Sequence, residues 1–308
     1  MTLAERARFG IAGPHIFPDG IVDTNFIKTF VGRAELAGYA SLWTQERVTG
    51  SPTALDPTTF LSYVAGQTER IRLGISVFVL PRHNPIHMAK QMASLDNLSG
   101  GRLTFGVGLG ANARDLAQYS VSSERRVKRF TEQVSIIKSL WTESPTSFHG
   151  AFYDIESANI EPKPLQKPHP PIWFGGHVES ALTRAIRLAD GWTGAGSAAR
   201  EAFESQVAFI QEQLDSEGRA RESFPISKRV YLAIDDDESR ALRRLRDWFA
   251  YYYGSADLAN KVGIWGTTER VLDTVERWTD LGVSEFILNP VFDLEDHLEK
   301  LADAVGLS

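Results

Sequence analysis

Five short segments combine residue types that can do chemistry: Gly13-Pro14-His15, Gln45-Glu46-Arg47, Gly108-Leu109-Gly110-Ala111-Asn112, Gly175-Gly176-His177 and Gly194-Ala195-Gly196-Ser197. Each directly follows a short run of β-forming residues. Glycine lets a backbone approach a ligand closely, and amide N–H groups at a helix start attract anions. The three glycine-rich segments together therefore point to a phosphate-bearing molecule, although each taken singly could serve a tight turn. The run Gly106-Val107-Gly108-Leu109-Gly110 is not a dinucleotide fingerprint, because its third glycine comes one residue early and three βα units precede it. Glu46 and His15 can hold or exchange a proton, whereas Arg47 keeps its charge near neutral pH and suits an anion. Pro14-His15-Ile16-Phe17 offers one histidine where a metal-dependent barrel hydrolase needs clustered ligands, and the chain has no cysteine, so no metal site is expected.

Positioning these segments on one face requires parallel strands, and the pattern supplies them. Apolar β-rich runs alternate with stretches of helical periodicity from end to end, the signature of βα units. Eight strands are expected at Phe9 to Ala12, Ser41 to Thr44, Ile71 to Leu80, Leu103 to Val107, Pro171 to Phe174, Gly191 to Thr193, Ile226 to Ile234 and Glu285 to Leu288. Helices are expected between them, among them Thr24 to Ala37, Pro85 to Leu98, Glu124 to Leu140 and Asp237 to Tyr252, with Leu294 to Val305 closing the chain. Asp56-Pro57 and Asn84-Pro85 place a capping residue before a proline at the first helical position. Gly38, Gly218 and Gly282 follow helical runs, where a left-handed cap is wanted. The segment His149-Gly150-Ala151-Phe152-Tyr153 and the prolines from Pro162 to Pro171 read as a β-hairpin and an extended lead into strand five. The expected class is α/β, a (β/α)8 TIM barrel over residues 1–308 with a β-hairpin insertion between units four and five.

At 308 residues the chain is long enough for one such barrel. Hydrophobic residues make up 43% and charged residues 23%, an ordinary globular balance. A net charge of −6 argues against a polyanion-binding surface, so nucleic acid is not an expected partner. There is no basic leader followed by an apolar run and no stretch of about 18 apolar residues, so no membrane association and a cytoplasmic location are expected.

The sequence resembles the luciferase-like flavin- and deazaflavin-dependent oxidoreductases, which include bacterial luciferase, alkanesulfonate monooxygenases and F420-dependent dehydrogenases. The likeness runs through Ala34-Glu35-Leu36-Ala37-Gly38-Tyr39-Ala40-Ser41-Leu42-Trp43 with Glu46, Thr68-Glu69-Arg70-Ile71-Arg72-Leu73-Gly74 and Leu95-Asp96-Asn97-Leu98-Ser99-Gly100-Gly101-Arg102. Pro170-Pro171-Ile172-Trp173 and Ala189-Asp190-Gly191-Trp192 continue it in order. The resemblance implies a bound F420 or FMN, with a non-prolyl cis peptide at Ser76-Val77 backing the ring. It implies a phosphate site at Gly108, Leu109, Gly110 and Ala111 with Gly175, Gly176 and His177, and places Glu46 near the ring and substrate. It also implies a homodimer. Many members carry histidine directly after that acid, and this chain carries Arg47, so the histidine of interest becomes His15 after strand one. His83 follows strand three and can line the ring or cap the next helix. His87, His149, His169 and His297 read as structural or surface residues, and Trp43 and Trp192 as packing residues.

With FMN the implied reaction is oxygenation by reduced flavin and O2. With F420, where the oxygen-activating position is carbon, it is hydride transfer. Local similarity of Ile75-Ser76-Val77 and Arg82-His83-Asn84-Pro85 favours the deazaflavin branch. The substrate is expected to be a small organic molecule selected by the segments Pro14 to Ile21, Asn112 to Ser123 and Tyr252 to Trp265. The alternative reading is a catalytically silent flavin-binding barrel.

Overall fold

The computed structural model describes residues 1–50, 52–110 and 116–307. Eight strands form its centre: β1 (Arg8–Ala12), β2 (Ser41–Thr44), β3 (Arg72–Ile75), β4 (Leu103–Gly108), β5 (Ile172–Gly175), β6 (Gly191–Gly194), β7 (Ile226–Ile234) and β8 (Glu285–Pro290). Each runs parallel to the next, and β8 pairs with β1 through Arg8↔Glu285 to Ile11↔Leu288, which closes the barrel. Helices lie between the strands: α1 (Thr24–Leu36), α2 (Pro57–Ala65), α3 (Pro85–Leu98), α4 (Arg126–Thr142), α5 (Glu179–Leu188), α6 (Arg200–Ser216), α7 (Glu238–Tyr253), α8 (Leu258–Val262), α9 (Thr268–Asp280) and α10 (Leu294–Val305). The expected hairpin is present, Thr146–His149 pairing antiparallel with Asp154–Ala158 between α4 and β5.

The capping residues act as their chemistry dictates. Asp56 Oδ1 accepts from the Thr59 amide at 2.9 Å, and Asn84 Oδ1 from the Ile86 and His87 amides at 2.9 and 3.2 Å, each with proline following. Inside the barrel Trp43, Trp173 and Ile287 fill the space, and a side chain at position 74 would meet the Trp43 ring at 2.3 Å, so only glycine fits there. Outside it, Trp192 stacks on Phe203 with centroids 5.8 Å apart, and Phe203 meets Trp278 edge-on at 5.2 Å. Burying each such side chain contributes about 2 to 3 kcal/mol, so the strands are clamped from both sides. Both Trp43 and Trp192 are thus packing residues.

The expected strand Ile71 to Leu80 is divided. β3 stops at Ile75, the Ser76–Val77 peptide is cis, and Phe78–Val79 then rejoins the sheet beside β4 through Phe78↔Val107 and Val79↔Gly108. Regular elements fall in the segments expected to select substrate, the strand Ile16–Phe17, within Pro14 to Ile21, pairing antiparallel with Thr53–Ala54. α8 and the strand Ile264–Gly266, which pairs with the end of β7, lie within or beside Tyr252 to Trp265. Among the described residues no helix is long and apolar enough to cross a membrane.

Candidate active site

The C-terminal ends of the strands surround a cleft of about 570 Å³. Ser76, Val77, Gly108, Leu109, Gly110, Gly175, Gly176 and His177 all line it, so the structure brings these expected cofactor-binding residues together. Ala111 lies outside the described residues. The segment Gly194 to Ser197 lines it as well, with Arg126, Val178, Ala181 and Thr193. Across the mouth the wall is completed by Gln45, Arg229 and Tyr253.

Several of the glycines answer to Val77. A Cβ at position 108 would stand 3.0 Å from Val77 Cγ2, and one at position 175 would stand 3.1 Å from Val77 Cγ1. Glycine at those two positions lets an apolar side chain occupy the middle of the cleft wall, between β4 and β5. Gly110 does a second job, turning the chain at φ +76° beneath Val79. The glycine-rich loops therefore shape the wall before they can serve an anion. Other features of the cleft carry positive potential. Val178 is the N-cap of α5 and gives it no side-chain cap among the described residues, and Val178 and His177 both line the cleft. An uncapped helix start presents free amide hydrogens and the positive end of its dipole. Arg126 lies on the same side, its Nη1 3.5 Å from the Gly110 carbonyl.

Glu46 does not line the cleft; its neighbour Gln45 does. The Glu46 side chain is only 1% exposed and turns towards the segment after β3. It accepts from the Val79 amide at 2.9 Å, from Arg82 Nη1 at 3.3 Å and faces His83 Nε2 at 2.5 Å. One buried carboxylate thus ties the end of β2 to the bulge that carries Val77. His83 is thereby accounted for, with Phe78 edge-on to its ring at 5.4 Å.

His15 is buried beneath the mouth, 2% exposed, with Phe60 beside it and Nδ1 2.8 Å from the Gly13 carbonyl. Nδ1 therefore carries the hydrogen, and Nε2 presents a buried lone pair without a partner among the described residues. Burial pushes its pKa down to about 4; the Gly13 carbonyl opposes this and the charge of Arg229 adds to it. Arg47 lies over the Tyr252 ring, Cζ 4.9 Å from the centroid. His297 is structural: its Nε2 accepts from the Ile234 amide at 3.0 Å.

Gln45 and Tyr253 lie in segments expected at the mouth, whereas Arg126 and Arg229 were not anticipated. Arg229 and its neighbour Lys228 are both buried, at about 1% exposure, on alternate faces of β7. Lys228 points away from the cleft. Its Nζ donates to the Ala195 carbonyl at 2.9 Å and so holds the loop after β6 from beneath, and burial pushes its pKa down to about 7. A charged pair inside an otherwise apolar β run was the visible signal for both.

A closed parallel barrel with a cleft at the C-terminal ends of its strands, lined by Val77 and by glycine-rich loops, defines the class. Residues 12–303 match the luciferase-like monooxygenases, and the chain belongs to that family. It is 28% identical over 225 residues to the FMNH2-dependent dimethylsulfone monooxygenase of Pseudomonas putida, an alignment covering 71% of this chain and 61% of that enzyme. It is 29% identical over 230 residues to the F420-dependent glucose-6-phosphate dehydrogenase of Kineococcus radiotolerans, covering 71% of this chain and 67% of that enzyme. The chain thus spans less than two thirds of the dimethylsulfone enzyme's length. In fold it is similar to an F420-dependent secondary alcohol dehydrogenase solved with an F420-acetone adduct, with a TM-score of 0.83, 17% identity and 98% of both chains covered.

Two predictions follow from the buried groups. Glu46→Ala, which strips the partner from a buried amide and from His83, should lower the unfolding free energy by about 3 kcal/mol in urea titrations, and Glu46→Gln by less than half of that. His15 titrates near its ordinary pKa when unfolded and about 4 when folded. The unfolded chain therefore binds more protons between those values, and stability falls as pH drops from about 6.5 to 4, by about 3 kcal/mol from this group. Urea unfolding of His15→Gln should lose that part of the pH dependence, and a pH profile parallel to the native one would remove His15 from the account.

Proposed function

We propose that this chain is an oxidoreductase that holds F420 or FMN in the cleft and carries out hydride transfer or monooxygenation of a small organic substrate. The observation that carries this reading is the pairing, in one cleft, of an anion-binding end with an apolar wall at Val77 flanked by glycines. The uncapped start of α5, His177 and Arg126 fit a phosphate, and the Val77 wall fits the face of a flat ring. The relatives' own cofactors, FMNH2 and F420, support the same choice. Such a group, once bound, supplies two-electron chemistry at its central ring.

The chain's residues then have distinct tasks. Gly108, Leu109 and Gly110 with Gly175, Gly176, His177 and Arg126 hold the phosphate. Ser76 and Val77 back the ring, with the Ser76 hydroxyl 3.3 Å from that of Thr193. Glu46 acts as a positioning residue by fixing the bulge through Val79, Arg82 and His83. His15 stays neutral near pH 7 beneath the mouth, and Arg47 braces Tyr252 at its edge. We read the barrel as one domain, acting as a cytoplasmic homodimer without nucleic-acid or membrane partners.

Titration of cofactor-free protein with FMN and with F420, followed by absorbance and fluorescence, tests the reading. Micromolar binding of F420 is expected, and Arg126→Ala should weaken it at least tenfold, about 1.4 kcal/mol. Micromolar FMN binding with none of F420 reverses the choice of cofactor, and binding of neither to folded protein contradicts the proposal.

A further inference from the structure

This barrel buries two arginines without carboxylate partners among its described residues, and they differ in a telling way. Arg102, 8% exposed, places Nε, Nη1 and Nη2 on five acceptors: the Ser99, Ile71, Ala65 and Thr68 carbonyls and the Thr68 hydroxyl. Its donors are used up in joining two turns, which is a structural role. Arg229, 1% exposed, donates from Nη1 to Asn289 Oδ1 at 2.9 Å and from Nη2 to the Thr44 carbonyl at 3.2 Å. Its Nε is buried with no partner among the described residues, and the side chain lines the cleft. By strand order it reaches from β7 past β8 and β1 to β2, so it spans the mouth on the side away from Arg126.

Gln45 stands beside it in the cleft wall, 7% exposed. The Tyr231 hydroxyl donates to Gln45 Oε1 at 3.2 Å, and the Tyr253 hydroxyl lies 2.9 Å from that of Tyr231. With the Tyr231 hydrogen committed to Gln45, Tyr231 accepts from Tyr253, and the chain of bonds runs in one direction. Gln45 Nε2 is left buried with its two hydrogens unmatched. This end of the cleft therefore offers a fixed positive charge and spare donors. Tyr253, part of an aromatic cluster with Trp248, Phe249 and Tyr252, adds an apolar surface.

A buried cation without a counter-charge and unmatched buried donors are both unfavourable unless a ligand brings the missing acceptors. The matching group is acceptor-only and anionic, and a carboxylate presents two oxygens to a guanidinium and an amide together. We propose that Arg229 and Gln45 form a carboxylate receptor, so that the small organic substrate of this cleft carries an acidic group. The proposal rests on the oxidoreductase reading only in placing that group beside the redox site. The other source of the same chemistry is a negatively charged edge of the cofactor itself, and the experiment separates the two.

Cofactor-free protein is titrated by calorimetry with benzoate and with benzamide, its neutral counterpart. Benzoate is expected to bind at least tenfold more tightly. The preference should disappear in Arg229→Gln, return in part in Arg229→Lys, and persist in Arg126→Ala, which removes the cleft's other arginine. FMN and F420 affinities of Arg229→Gln should stay within threefold of the native values. Equal binding of benzoate and benzamide by the folded native protein overturns the proposal without any variant. A tenfold loss of cofactor affinity in Arg229→Gln, with no benzoate preference in the native protein, assigns the charge to the ring and also overturns it. A benzoate preference in protein that binds neither cofactor leaves the receptor standing and removes the cofactor reading instead.

Discussion

The mouth of this barrel is organised around the seating of one side chain, Val77. Its methyl groups stand 3.0 and 3.1 Å from where a Cβ at residue 108 or 175 would lie, so glycine at the ends of β4 and β5 lets Val77 sit there without being displaced. β3 ends at Ile75, and the backbone on either side of Val77 is tied to the neighbouring strands, the Ser76 amide donating to the Thr44 carbonyl at 2.9 Å and Phe78–Val79 pairing with β4. Glu46 adds side-chain bonds to the same bulge, through the Val79 amide and the side chains of Arg82 and His83. A buried carboxylate at the end of β2 thereby helps to fix an apolar wall that belongs to β3, and the glycine loops of β4 and β5 close around it. The barrel's interior, packed by Trp43 and Trp173, gives that arrangement a rigid base.

Charge is distributed around the wall with a consistent logic. One cationic end, Arg126 with the start of α5, faces solvent-side loops and suits a phosphate. The other, Arg229, is buried across the mouth, where a low dielectric makes its charge felt. It contributes to the lowered pKa of His15, while burial dominates that shift. The cleft can thus hold an elongated, doubly anionic set of groups, one at each end. Lys228, on the opposite face of the same strand, holds the loop from Ala195 to Ala198 in place from outside the barrel.

Much of this was legible in the sequence, and the exceptions have physical causes. The strands Ser41–Thr44 and Ile226–Ile234 and the helices Pro85–Leu98 and Leu294–Val305 were expected with the boundaries found, because caps, prolines and β-branched runs act locally. The cleft-lining loops were legible because residues after the strands of a parallel barrel share one face. The break in Ile71 to Leu80 was hidden from composition, since β-forming residues stand on both sides of the bulge; only family resemblance pointed to Ser76-Val77. Whether Gln45 or Glu46 faces the cleft was equally hidden. β2 ends at Thr44, so strand alternation no longer fixes direction, and the partners that turn Glu46 away lie 33 to 37 residues further along the chain. Arg229 was read as part of a strand; that it has no ion-pair partner among the described residues is a property of the folded chain alone.

The most direct measurement is a crystal structure of the protein soaked with its tighter-binding cofactor. The account predicts the phosphate beside Arg126 and the start of α5, with the ring lying against Val77. A cofactor bound elsewhere, or one whose ring leaves Val77 uncovered, would contradict it.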